Sequence, residues 1–187
     1  MPARQSVHCD PRSPMVLDTR ELGRRPGSMR TLRRELAAPD GWGLNLVAVP
    51  PGTAVDLDVR LESVMEGVLV SGTVQARVDA ECGRCLDPLT TTLEVDVQEL
   101  FAYEPEPQAD DDVLLVDGDY IDLEPALRDA VVLALPVNPV CDEECGGLCA
   151  GCGQKVAELP ADHAHDAPDP RWAALSSLSR DPDPEES

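Results

Sequence analysis

Residues 55–80 read VDLDVRLESVMEGVLVSGTVQARVDA, and the fold follows from this stretch. Up to Glu62, every second residue is Val or Leu, and each residue between them is charged. From Val68 to Ala80 apolar residues again fall at alternate positions, with Gly72 as a possible bulge. Successive side chains of a strand point to opposite faces. This period of two therefore predicts two long strands, each with one buried face.

A third strand follows the second along the chain. Leu93, Val95 and Val97 begin it, and it continues towards Phe101. The connector ECGRCLDP (81–88) is rich in turn-forming residues, so the second and third strands are predicted to form an antiparallel hairpin.

One helix is predicted after the strands. Asp122 is a candidate N-cap, apolar residues follow at helical spacing, and Pro136 ends the run. We expect the apolar stripe of this helix to pack on the sheet. The predicted architecture is a strand-dominated α+β fold: an antiparallel curled sheet or partial barrel, one main packed helix and a Cys-rich zinc knuckle.

Composition limits the class of protein. Of 187 residues, 36 are acidic and 15 basic, which gives a net charge of -21, and 42% are hydrophobic. That apolar fraction is enough for a core and excludes wholesale disorder. No apolar run approaches the roughly 20 residues of a membrane helix, and the N-terminus lacks the apolar stretch of a secretory signal. We therefore expect a soluble, acidic, cytoplasmic protein with no membrane partner.

Composition also divides the chain into three parts. Residues 1–36 form an Arg-rich N-terminal arm. Residues 37–158 form a β-rich domain that includes a Cys-rich knuckle at 141–153. Residues 159–187 form an acidic tail with a short amphipathic helix at 171–178.

The arm is charged oppositely to the rest of the chain. Residues 1–34 contain eight Arg and three acidic residues, a net charge of +5, and the remainder carries -26. Affinity for nucleic acid comes largely from cations, so the arm is the candidate RNA-binding region. The acidic body suits basic partners instead. A short amphipathic stretch at 28–36 has Ser28 as a candidate helix N-cap. The candidate RNA contacts are Arg20, Arg24, Arg25, Arg30, Arg33 and Arg34.

Seven cysteines are the strongest chemical signal. Clustered cysteines in a cytosolic protein indicate metal or redox chemistry more than disulfides. The preferred zinc ligands are Cys141, Cys145, Cys149 and Cys152. Four thiolates fill the coordination sphere of zinc, so this site is predicted to be structural.

Cys82 and Cys85 are a second CxxC half-site, on the hairpin turn. They are either spare or combined with Cys149 and Cys152, and a binuclear cluster that shares thiolates is a third arrangement. Free buried or redox-active thiols are the remaining interpretation. Cys9 stands alone and is interpreted as an incidental free thiol.

Other residues offer little chemistry. His163 and His165 lie in the tail, where solvated side chains are expected more often than metal ligands. No nucleotide-binding glycine motif, nucleophile elbow or Ser/His/Asp arrangement occurs. The sequence therefore predicts neither an enzyme nor a small-molecule substrate.

Several motifs together resemble the YceD family in its actinobacterial form. The opening LDTRELGRRPG (17–27), the hairpin segments LESVMEGVLV (61–70) and ECGRCLDP (81–88), and the run from DLEP (122–125) to the CxxxCGGLCxxCG segment (141–153) occur in the family's order. RWAAL (171–175) near the end is also similar.

The resemblance implies a role in the synthesis, processing or stability of the 23S rRNA of the large ribosomal subunit. No catalytic activity is implied, and because some members lack the C-terminal cysteines, the metal site is implied to be scaffold. The first hypothesis is a ribosome-biogenesis factor that binds precursor 23S rRNA or a large-subunit ribosomal protein. The alternatives are a redox-responsive zinc module, with Cys82 and Cys85 as sensing thiols, and an acidic chaperone of a basic ribosomal protein.

Overall fold

The computed structural model describes residues 9–104, 113–165, 171 and 175. The chain divides into two compact units, Met1–Cys145 and Gly146–Ser187. The boundaries expected after residues 36 and 158 do not coincide with this division, and the knuckle at 141–153 is divided between the two units.

The first unit contains eight strands and one helix among its described residues. The strands are β1 (Val16–Asp18), β2 (Met29–Ala37), β3 (Gly43–Leu44), β4 (Val47–Ala48), β5 (Ala54–Ser63), β6 (Gly67–Glu81), β7 (Pro88–Ala102) and β8 (Tyr120–Asp122). The helix is α1 (Glu124–Ala134). The second unit has one short 3-10 helix, Val156–Glu158, in its described part.

Six strands form the main antiparallel sheet, and β6 is its central strand. Along one edge β6 pairs with β7 over its whole length. Its other edge pairs first with β5 and then, beyond the end of β5, with β4. β2 pairs with the far edge of β5, β3 pairs with β4, and β1 and β8 form a separate two-stranded sheet. The pairing leaves the main sheet open, so it does not close into a full barrel.

The alternation in sequence predicts the core correctly. Val55, Leu57, Val59 and Leu61 of β5 are at most 2% exposed. The inward residues of β6 and β7 continue this buried layer, and α1 packs against β7. Burial of a Val or Leu side chain stabilises the fold by roughly 1.5–3 kcal/mol, so the buried residues of these strands contribute substantially to the stability of the first unit. The predicted strand-dominated α+β fold is confirmed.

The structure corrects the expectation of a bulge at Gly72. Gly72 is not a bulge, because pairing continues through it on both edges, with Val59 on one side and Val97 on the other. A Cβ at Gly72 would collide with the carbonyl oxygen of Asp58, so glycine permits the close approach of β5 and β6.

The Arg-rich segment is part of the sheets in its described residues. The stretch at 28–36, expected to be helical, lies almost wholly in β2, and β1 also belongs to this segment. The exposed edge of β5 provides backbone partners for β2, and Arg33 lies opposite Asp58 and pairs with it at 2.9 Å. Tertiary pairing thus overrides the local helical pattern. A boundary at residue 36 would cut through β2.

The helix and its start agree with the sequence. α1 begins at Glu124, and the Asp122 carboxylate accepts a hydrogen bond from the Glu124 amide at 3.0 Å. The N-cap position itself is occupied by Leu123 and not by Asp122. No helix in the described part of the chain is long and apolar enough to cross a membrane. The helix expected at 171–178 lies outside the described residues, except for Arg171 and Leu175.

Gly72→Ala is expected to lower the free energy of unfolding by about 1–3 kcal/mol, because a methyl group there forces β5 and β6 apart. Denaturant titration of the purified chain measures this. Ser71→Ala, at the neighbouring position of β6, is the matched control and should be near neutral. Equal midpoints for the two variants would contradict the close approach at Gly72.

Candidate metal centres

The six clustered cysteines separate into two groups. Cys82, Cys85, Cys141 and Cys145, here called the first centre, belong to the first unit. Cys149 and Cys152 lie with His163 and His165 in the second unit, and these four residues are here called the second centre. In each group the potential ligand atoms all lie within 4.8 Å of one another, so each group can hold a metal ion.

The hairpin between β6 and β7 provides half of the first centre. The Cys82 amide donates to the Asp87 carbonyl at 2.8 Å, and the Leu86 amide donates to the Cys82 carbonyl at 2.9 Å. Leu86 closes the turn with a φ of 62°, a conformation that is uncommon for a residue other than glycine. The turn therefore places the two thiols on the same side of the hairpin tip.

The chain that follows α1 provides the other half. The Gly83 amide donates to the Pro139 carbonyl at 2.8 Å. A Cβ at Gly83 would displace the Asn138 side chain from its position against the turn. Arg84 then donates to the carbonyls of Glu143 and Cys145, at 2.9 and 3.1 Å. These three hydrogen bonds bring Cys141 and Cys145 to the hairpin tip.

The sulfur separations in the first centre suit a tetrahedral ion. Sγ of Cys82 lies 3.9 Å from Sγ of Cys145, and Sγ of Cys85 lies 3.6 Å from Sγ of Cys141. Zinc–sulfur bonds of about 2.3 Å place the sulfurs of a tetrahedral site about 3.8 Å apart. Cys82 and Cys85 are buried. Four thiolates leave no open position for a substrate, so the geometry fits a closed, structural site.

Hydrogen bonds and charges in the first centre favour the thiolate form of Cys82. Backbone amides, first that of Cys85 and then that of Arg84, lower the pKa of Cys82 to about 6. The amide of Asp87 lowers the pKa of Cys85, but burial and the neighbouring Cys82, Cys141 and Asp87 side chains outweigh it and raise the pKa to about 12. The pKa of Cys141 is raised, first by the Cys145 thiol. Cys82 is thus the thiol poised to bind a cation first, and binding of the cation favours loss of the protons of Cys85 and Cys141.

The second centre is built on a tight turn. The Cys149 amide donates to the Gln154 carbonyl, and the Gly153 amide donates to the Cys149 carbonyl, each at 2.7 Å. Nε2 of His163 lies 3.5 Å from Sγ of Cys149 and 3.6 Å from Sγ of Cys152. Nε2 of His165 lies 3.0 Å from Nε2 of His163. Amides of Cys152 and Gly151, followed by His163, lower the pKa of Cys149 to about 6.

This grouping differs from both four-cysteine sets drawn from the sequence. The set Cys141, Cys145, Cys149 and Cys152 is divided between the two centres, and so is the set that combines the hairpin cysteines with Cys149 and Cys152. Local spacing identifies the half-sites but not their partners. From the sequence, His163 and His165 were expected to be solvated more often than metal-bound. The HxH spacing after a CxxCG turn was the available signal for them.

The six candidate RNA-binding arginines do not share one surface environment. Arg20 pairs with Asp18, Arg30 with Glu21 at 3.0 Å, and Arg33 with Asp58. The remaining three are exposed: Arg24, Arg25 and Arg34.

Two of these arginines lie over tyrosine rings. The Arg24 guanidinium is 4.8 Å from the ring centre of Tyr103, and the Arg20 guanidinium is 5.9 Å from that of Tyr120. Hydrogen bonds from the Arg20 side chain lower the pKa of Asp18 to about 2. Arg20 and Arg24 both lie in the loop between β1 and β2, and each has an aromatic ring beneath its guanidinium group.

Cys9 belongs to neither centre. Its side chain is 5% exposed and its amide donates to the Asp117 carboxylate at 2.9 Å. Burial, followed by the charges of Asp117 and Asp122, raises the pKa of its thiol. A raised pKa and burial make this thiol poorly reactive.

Comparison with known proteins gives a family and uncharacterised relatives. The family described as "Large ribosomal RNA subunit accumulation protein YceD" matches residues 70–179. An uncharacterised protein of Mycobacterium tuberculosis is 47% identical over 170 residues, which cover 89% of this chain and 82% of the relative. One from Mycobacterium leprae is 42% identical, with 89% and 78% covered. YlbN of Bacillus subtilis is 27% identical, with 59% and 66% covered. No solved structure matches the chain.

Cys82→Ser and Cys141→Ser are each expected to remove the metal ion of the first centre, and the double variant should lose no more than either single variant. Metal content per chain, measured by mass spectrometry, gives the result. Cys9→Ala is the matched control and should keep the full content. The expectation fails if Cys82→Ser keeps its metal while Cys141→Ser does not, because Cys141 would then bind with other partners.

Proposed function

This chain belongs to the YceD family of large ribosomal RNA subunit accumulation proteins, and we propose that it is a non-catalytic ribosome-biogenesis factor for 23S rRNA. It acts in the cytoplasm and is needed for the synthesis, processing or stability of that RNA. The observation that carries the proposal is the family match. The matched residues 70–179 include the β6–β7 hairpin and all eight residues of the two centres.

The loop between β1 and β2 is the surface best suited to RNA. It carries Arg20, Arg24 and Arg25 and a single acidic residue, Glu21, on a chain of net charge -21. RNA contact elsewhere on so acidic a chain is opposed by repulsion, because phosphate binding depends on cations. The tyrosine rings beneath two of these arginines hold the guanidinium groups in place at this surface.

This loop is held firmly at both ends. The amide and hydroxyl of Thr19 both donate to the Asp119 carbonyl at 2.8 Å. At the other end, the Gly27 amide donates to the Ser63 carbonyl at 2.9 Å. Leu22, in the middle of the loop, is 6% exposed. A fixed loop presents its arginines without a large ordering cost on binding, which supports a direct contact with RNA.

A basic ribosomal protein is the second candidate partner. The outward face of β5, β6 and β7 carries seven acidic residues and two arginines. The acidic residues are Asp56, Asp58, Glu62, Asp79, Glu81, Glu94 and Asp96. Long-range attraction between this face and a basic protein supports the chaperone alternative, and such binding weakens as salt rises.

The first centre acts in this proposal as a zinc-bound scaffold. It joins the hairpin to the chain after α1, and no residue of the loop between β1 and β2 belongs to it. Cys82 and Cys85 are 0% and 6% exposed, which shields them from peroxide and argues against a sensing role for these thiols.

The triple variant Arg20→Gln, Arg24→Gln, Arg25→Gln is expected to lose retention of precursor 23S rRNA in a pull-down from growing cells. With purified RNA, the slope of log K against log salt should become shallower by about 2–3, since each lost phosphate contact removes 0.7–0.9. The measurements are the ratio of 23S precursor to 16S rRNA in the eluate and a salt titration of binding.

The matched control removes three positive charges elsewhere, by Arg60→Gln, Arg77→Gln and Arg128→Gln, and should retain the RNA. Thermal unfolding verifies that both triple variants fold. Equal retention by both triple variants would contradict the loop as the RNA contact. Recovery of a basic ribosomal protein without rRNA, by the unmodified chain, would favour the chaperone alternative.

A further inference from the structure

We propose that Cys149, Cys152, His163 and His165 bind a second zinc ion, and that this ion holds residues 146–165 in their folded form. The inference concerns the second unit alone and does not depend on the RNA-related function. It gives the chain two zinc ions of different ligand sets: four thiolates in the first centre, and two thiolates with two imidazoles in the second.

The distances between ligand atoms fit zinc. With Zn–S of about 2.3 Å and Zn–N of about 2.0–2.1 Å, a tetrahedral ion places S and N roughly 3.5–3.6 Å apart. The two S–N separations around Nε2 of His163 are 3.5 and 3.6 Å. Thiolate and imidazole together are the usual donors of structural zinc, whereas Mg²⁺ and Ca²⁺ take oxygen ligands.

The local sequence makes space for this arrangement. A Cβ at Gly151 would collide with the imidazole of His165, so glycine lets the ring lie over the turn. Gly153 closes the turn with a φ of 72°, a conformation that favours glycine. Gly151 thus leaves space for the imidazole of His165, and Gly153 allows the positive φ of the turn. A solvated tail would need neither.

A metal ion also answers the question of what stabilises this segment. No apolar side chain between residues 146 and 165 is buried. The backbone hydrogen bonds present are those of short turns and of one antiparallel bridge, in which the Val156 amide donates to the Gly147 carbonyl at 2.9 Å. A turn this short is marginal in water without a hydrophobic face, and small segments of this kind fold when they bind zinc. The histidines are the only non-cysteine ligands that the segment brings to the two thiols within its described residues.

The first test counts zinc per chain on the full-length protein, by mass spectrometry after removal of loosely bound metal. We expect two zinc ions for the unmodified chain, one for His163→Asn with His165→Asn, and one for Cys82→Ser with Cys85→Ser. Cys9→Ala should keep two. Replacement of zinc by Co²⁺ should give a visible spectrum with two components, and the histidine variant should lose the component with the weaker thiolate charge-transfer band.

The second test uses Lys155, the one lysine in the sequence, which lies between Cys152 and His163. The endoproteinase Lys-C therefore has a single cleavage site in the untagged chain. Zinc should slow cleavage there at least about tenfold, because proteolysis follows the population of the open form. The histidine variant should be cleaved rapidly with or without zinc, and the Cys82/Cys85 variant should stay protected.

A single zinc ion on the unmodified chain that the histidine variant retains would overturn the proposal. So would a histidine variant that keeps two zinc ions and an unchanged cobalt spectrum. Equal rates of Lys-C cleavage with and without zinc would overturn the claim that the metal holds this segment.

Discussion

The unbroken pairing of β6 with β7 is the constraint on which the arrangement of the first unit depends. Both strands are 15 residues long and are in register from Gly67–Ala102 to Glu81–Pro88. Because the register has no bulge, the inward side chains stay on one face throughout, and Cys82 and Cys85 emerge at a fixed end of the sheet. The rigid hairpin is thus both the core of the fold and the support of the first centre.

The fold was largely predictable from sequence because its main signals are local. Alternation between Val55 and Ala80 is a property of neighbouring residues, and it correctly predicts both strands and their buried faces. β2 was not predictable in this way. Its residues carry a short amphipathic pattern, and only the open edge of β5, with Asp58 opposite Arg33, makes them a strand.

The partition of the metal ligands could not be obtained from spacing. Cys141 is close in sequence to Cys149, yet the hydrogen bond between Gly83 and Pro139 takes it to a hairpin more than 50 residues earlier. Such a contact follows from the course of the whole chain, so each cysteine pair remains open to several partners until the topology is known. The proposed histidine ligands were not predicted, for a related reason. Their polar, Pro-containing surroundings indicate solvent, and the space left by Gly151 is visible only in three dimensions.

The two centres and the loop between β1 and β2 have different proposed roles. In the proposed account, metal binding supports the hairpin and the segment after it, and RNA contact lies on the arginine-bearing loop between β1 and β2. The strongly acidic remainder of the chain opposes RNA contact elsewhere through repulsion. Four protein ligands in each proposed centre leave no open coordination position, as expected of a factor that acts by binding.

The partition of ligands between two ions is the central claim, and NMR of the full chain loaded with ¹¹³Cd tests it most directly. Cadmium couples through its bonds to the β-protons of each cysteine that binds it. Two cadmium resonances are predicted. One should correlate with Cys82, Cys85, Cys141 and Cys145, and the other with Cys149 and Cys152 and with the ring protons of His163 and His165. A single resonance that correlates with Cys141, Cys145, Cys149 and Cys152 would contradict the account.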